Sequence, residues 1–115
     1  MGKWTGRMPT SRLNDRDVHP IQFRKWADAH RDFARGRDRE TVDAYKAAIQ
    51  HRGLREPILI GVSDRDEALY VGDGHHRAVA LIELGVSEFP FHWYWIKSWG
   101  RPRMERGPLP DHLPR

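Results

Sequence analysis

The chain has 115 residues, 38% hydrophobic and 31% charged, which suits one domain with one modest core. It contains no cysteine, so disulfides, thiolate nucleophiles and cysteine-based zinc sites are excluded, and no apolar run reaches the roughly 18 residues of a membrane span. The formal charge of +4 is uneven: residues 1–40 hold ten Lys/Arg against six Asp/Glu, residues 41–96 five against eight, and residues 97–115 five against two, so basic ends flank an acidic middle.

The first twelve residues, MGKWTGRMPTSR, are polar and lack the apolar stretch of a secretion signal, so a loose basic arm on a cytoplasmic protein is expected. Residues 13–21 suit a short edge strand ending near Pro20. Residues 21–34 read as a helix, because Phe23, Trp26, Ala27, His30, Phe33 and Ala34 recur at helical spacing, with Gly36 as the stop. A second helix is predicted over 38–52, with Asp38 as N-cap, Val42, Tyr45 and Ile49 as its apolar stripe, and Gly53 as its left-handed terminus.

Residues 57–62 (PILIGV) form a short apolar run and residues 68–71 (ALYV) a second. The polar turn between them predicts a hairpin. The glycines at 72 and 74 break the second strand. A helix over 75–84 follows, with Ala78, Leu81 and Ile82 facing inward and Gly85 as its stop. Residues 89–96 (FPFHWYWI) are strongly β-prone, with Pro90 at an edge or strand end. The parts are thus an arm at 1–12, an α+β domain at 13–99 with a small mixed sheet flanked by helices, and a Pro/Arg-rich tail at 100–115.

The segment with chemical content is residues 72–84, GDGHHRAVALIEL. A strand, a glycine turn and a helix in succession leave the first N–H groups of that helix without intrahelical partners, at the positive end of its dipole. An anion, most often phosphate, fits there. Gly74 leaves room for it, Arg77 in the first turn offers a two-pronged contact, and His75 and His76 add donors that titrate near neutral pH. Asp73 serves as an N-cap or as a ligand for a magnesium ion bridging to phosphates. Two adjacent residues at a helix start point in different directions, so one histidine is expected to be structural. A general base is drawn from His75, Glu40 and Glu56; spacing selects none of them.

Residues 74–80 (GHHRAVA) match the pattern GxxRxxA. With residues 45–53 (YKAAIQHRG) and the Glu56-Pro57-Ile58 strand entry upstream, they resemble the ParB/sulfiredoxin-like superfamily. The resemblance covers about residues 13–96 and implies a small mixed sheet with a nucleotide phosphate at the turn. The implied ligand is a nucleoside triphosphate, CTP or ATP, with magnesium, contacting Gly74, His75, His76 and Arg77. The resemblance implies no single activity; the residues themselves offer Asp73, His75 and Glu56 as catalytic candidates and Asp73 as the magnesium ligand. Phosphotransferase, NTPase and nuclease activities all fall within the superfamily. Sulfiredoxin chemistry does not carry over, because His75 stands where that family has its cysteine. Only nineteen residues follow Ile96, so the partition proteins' helix-turn-helix is not expected. Two other readings are a non-catalytic binder of DNA or RNA through the basic ends, with Trp4, Arg7, Arg12, Trp99, Arg101, Arg103 and Arg106, and a phage- or plasmid-type factor that binds a host protein.

Overall fold

The computed structural model describes residues 6–66, 68–96 and 104–105. In chain order the elements are β1 (Arg7–Pro9), a single 3-10 turn (Thr10–Arg12), β2 (Val18–Pro20), α1 (Trp26–Asp32), α2 (Gly36–Arg52), β3 (Ile58–Ser63), β4 (Leu69–Asp73), α3 (His75–Leu84), β5 (Glu88–Ile96) and β6 (Met104–Glu105). Among the described residues the strands form one mixed sheet in the order β1-β5-β3-β4-β2, with β6 also paired to β5. The predicted hairpin is β3 against β4, antiparallel, whereas β5 returns parallel to β3 after α3 crosses over. The α+β architecture expected from the sequence is the one observed.

Alternation along the strands gives the sheet one buried face. Ile58, Ile60 and Val62 of β3, Leu69 and Val71 of β4, and Phe89, Phe91 and Trp93 of β5 are all buried. Ala78, Val79, Ala80 and Leu81 of α3 are fully buried and join the same core. Trp93 and Trp95 meet edge to face at 5.3 Å, so these two aromatics serve packing. Trp4 and Trp99 lie outside the described residues.

Three expectations are corrected. Within the expected N-terminal arm Arg7–Pro9 form a strand of the sheet, because Met8 is fully buried opposite Phe89, Gly6 O accepts from Phe91 N–H and Thr10 N–H donates to Ser87 O. A three-residue strand with one apolar side chain has no periodicity to read. The first helix starts at Trp26 rather than near residue 21. Lys25 is extended, the Asp15 carboxylate takes the Trp26 backbone N–H at 2.7 Å, and the Trp26 indole donates to Val18 O at 2.9 Å. Its buried stripe is then Trp26, Ala29 and Phe33, leaving Ala27 and Ala34 exposed. The second helix begins at Gly36, so Asp38 lies inside its first turn and is not its cap.

Because Met8 is part of the core, Met8→Ala should lower unfolding free energy by about 2–5 kcal/mol in urea titration, against near zero for a side chain on a loose arm.

Candidate functional site

β4 ends at Asp73 and α3 starts at His75, so the chain must reverse within Gly74, which adopts φ +101°. Only glycine takes up that conformation without strain. The Arg77 side chain fills the space a Cβ would need: its Nη2 lies 3.0 Å and its Nε 3.3 Å from where one would stand. Glycine is therefore required for its φ, and the guanidinium lying over it leaves little room for a Cβ. The first bond of α3 runs from Ala78 N–H to Gly74 O at 2.8 Å, and no side chain caps the helix. The N–H groups of His75, His76 and Arg77 precede that bond and are left for an external partner.

Asp73, expected as a cap or metal ligand, does not cap; its side chain is 71% exposed, with one oxygen 3.7 Å from Arg77 Nη2. Arg77 is only 7% exposed. Its Nη1 donates to the carbonyls of Glu56 and Pro57 at 3.2 and 3.3 Å and lies 3.5 Å from a Glu56 carboxylate oxygen. The guanidinium thus clamps the loop after α2 to the turn before α3. Glu56, 81% exposed, stands beside it. Glu40 is exposed on α2 and lines a neighbouring groove.

The two histidines have different surroundings. His75 is buried, 6.0 Å edge-on from the Phe23 ring, and its Nε2 faces the Gln22 N–H at 3.5 Å. This is the structural histidine. His76 is half-buried and stacks on Phe33 at 4.2 Å with planes 9° apart, while its Nε2 lies 2.9 Å from the Asp38 carboxylate. Asp38, read from sequence as a cap, instead orients this ring; no pattern within one helix could reveal a partner 38 residues away.

These groups line a polar cleft of about 350 Å³. Asp73, Gly74, His75, His76 and Arg77 come from the turn, Glu56 from the loop after α2, Gln22 from the loop before α1, and Thr41 and Tyr45 from α2. Gln22, Thr41 and Tyr45 had no chemical signal in the sequence. Their signal was positional: Thr41 and Tyr45 are one turn apart and share a face with Ala48 and Arg52. Two further grooves adjoin the cleft through Tyr45. One, of about 250 Å³, runs past Ile49, Arg52, Leu54 and Arg55, and the other, of about 400 Å³, past Glu40 and Ala44. Among the described residues no cluster of three or more His, Asp or Glu side chains is arranged to hold a metal ion. Of the basic ends, Arg7 is paired to Glu88 at 2.6 Å and Arg12 to Asp17 at 3.4 Å, while Arg101, Arg103 and Arg106 lie outside the described residues.

Burial first, and then the neighbouring His76, holds the His75 imidazole below the ordinary histidine value of 6.5, with Asp73 opposing. The unfolded chain therefore takes up this proton at higher pH than the folded one. The stability present above that ordinary value is lost as pH falls through it. Thermal melts of the wild type should accordingly weaken between about pH 7 and 5, and His75→Gln should flatten that slope whatever its effect on Tm at neutral pH. An unaltered slope would remove His75 as its source.

No protein-family model matches the chain, and no curated protein matches it. Among solved structures it is similar to sulfiredoxin from Arabidopsis thaliana, at 20% identity and a TM-score of 0.54, over 79% of this chain and 84% of that one. At that identity the likeness is one of fold. Together with the mixed sheet and the strand–turn–helix described above, it assigns the chain the ParB/sulfiredoxin-like fold.

Proposed function

We propose that the cleft binds the phosphates of a nucleotide. The observation that carries this reading is the uncapped start of α3, opening from a left-handed Gly74 into a polar cleft. Phosphate oxygens accept from the N–H groups of His75, His76 and Arg77 at the positive end of the helix dipole. Arg77 adds a fixed positive charge from beneath. Its role is to shape the site and supply field, since Nη1 is already committed to two carbonyls. The chemistry of the donor set suits a nucleoside triphosphate, CTP or ATP, carried with magnesium. Asp73 is an exposed carboxylate at the cleft, and Mg²⁺ is usually held by one or two carboxylates plus phosphate oxygens. Bound there, the ion would neutralise phosphate charge.

A catalytic reading, phosphoryl transfer or phosphodiester cleavage, is favoured by one further observation, the Asp38–His76 pair. With Nε2–H donated to Asp38, neutral His76 keeps the Nδ1 lone pair for a proton, the arrangement of a general base oriented by a carboxylate. His76 fits this role better than His75, whose burial disfavours a charged ring, and Glu56 remains the exposed carboxylate nearest Arg77. Cysteine-based chemistry is no part of the proposal, as the sequence has no cysteine.

A thermal-shift panel of nucleotides with and without magnesium tests the site. A ligand at about one hundred times its Kd should raise Tm on the order of 10 °C, with no rise from the matching nucleoside. Because the phosphate contacts are backbone N–H groups, His76→Ala should leave most of that rise in place while removing any nucleotide turnover. Absence of any shift with CTP, ATP, GTP and their diphosphates would overturn the reading.

A further inference from the structure

The three cavities that meet at Tyr45 form one open-ended path along a single face of α2. Thr41, Ala44, Tyr45, Ala48 and Arg52 line it at spacings of three and four residues. A path that continues past the phosphate seat in two directions suits a polymer better than a single nucleotide. Arg52 and Arg55 line one end of the path, and beyond the Glu40 end Arg35 and Arg37 flank the start of α2. All four are exposed, and none is ion-paired among the described residues. The neighbouring cations differ: Arg39 and Lys46 are both bonded to Glu83 and so tie α2 to α3. The start of α2 also lies close to the phosphate seat, because Asp38 holds His76 and Phe33 stacks on the same ring.

We propose that a single nucleic-acid strand lies along α2, with one backbone phosphate at the start of α3, Tyr45 stacking a base, and the arginine pairs at the two ends holding flanking phosphates. The 17 residues of α2 span roughly 25 Å, the scale of a few nucleotides. Tyr45 is half-buried against the core and lines all three cavities, so its ring is both fixed and reachable. Three acids line the path: Glu40, Asp73, and Glu56, which shares its groove with Arg52 and Arg55 and lies 3.5 Å from the Arg77 guanidinium. The inference rests on the phosphate seat proposed above and adds to it the class of ligand.

The test measures fluorescence anisotropy of labelled dT12 and U12 with the full chain over a salt series, beside mononucleotide thermal shifts. Four variants are compared: Arg35→Glu/Arg37→Glu, Arg52→Glu/Arg55→Glu, Tyr45→Leu and, as a charge control, Arg65→Glu in the β3–β4 turn. Each arginine pair should weaken binding about tenfold or more and make the salt dependence shallower by roughly one unit of log–log slope. Tyr45→Leu should weaken binding about fivefold or more with the slope unchanged, as expected for stacking. Arg65→Glu should stay within about twofold on the same electrostatic grounds, and mononucleotide shifts should survive in both arginine-pair variants. The relative affinities for dT12 and U12 distinguish DNA from RNA as the source of the strand. A mononucleotide shift without binding of either oligonucleotide, or binding that both arginine-pair variants leave unchanged, overturns this inference and leaves the phosphate seat standing. Loss of both signals overturns the two together.

Discussion

The placement of Arg77 over Gly74 is the constraint on which the rest of the site depends. A guanidinium can be buried only if its donors find partners. Here two backbone carbonyls, those of Glu56 and Pro57, accept from it, and the carboxylates of Glu56 and Asp73 lie just beyond hydrogen-bonding distance. Those partners come from two separate connections, the loop after α2 and the turn after β4. One side chain therefore fixes their relative position and, with it, the direction in which α3 begins. Gly74 makes this arrangement available, since any larger residue would be strained at its φ and would crowd the guanidinium.

Around that clamp, burial divides the chemistry between two neighbouring histidines. His75 turns toward the core, where the environment favours a neutral ring. His76 turns toward the cleft, where Phe33 fixes its plane and Asp38 fixes its ring orientation. The same separation appears among the cations. Arg39 and Lys46 hold Glu83 and bind α2 to α3, which builds the wall of the cleft, while the arginines at the two ends of α2 remain exposed. Structural and cleft-facing positions thus alternate along short stretches of chain, as helical geometry requires when one face packs and the other lines a groove.

Much of the fold was legible in order. The β3–β4 hairpin, α3 with its glycine stop and the aromatic β5 each carry enough local pattern to be read from residues alone. The start of α1 was not, because a carboxylate eleven residues upstream and a backbone carbonyl on β2 set it. β1 was not, because its only local signal is Met8, and its reason to be a strand is the Phe89 opposite it. Within the site, the sequence marked the turn and both histidines but not which of the two would be buried.

What the sequence determined by itself is the glycine turn between a strand and a helix, with an arginine in the first helical turn and no cysteine beside it. Each of these follows from the conformational freedom or chemistry of residues adjacent in the chain. The tertiary structure alone decided that Arg77 is a clamp, that Asp38 belongs to His76, and that Tyr45 stands where three cavities meet. Those outcomes depend on which elements pack together, and packing joins residues 20 to 40 positions apart that no local periodicity connects.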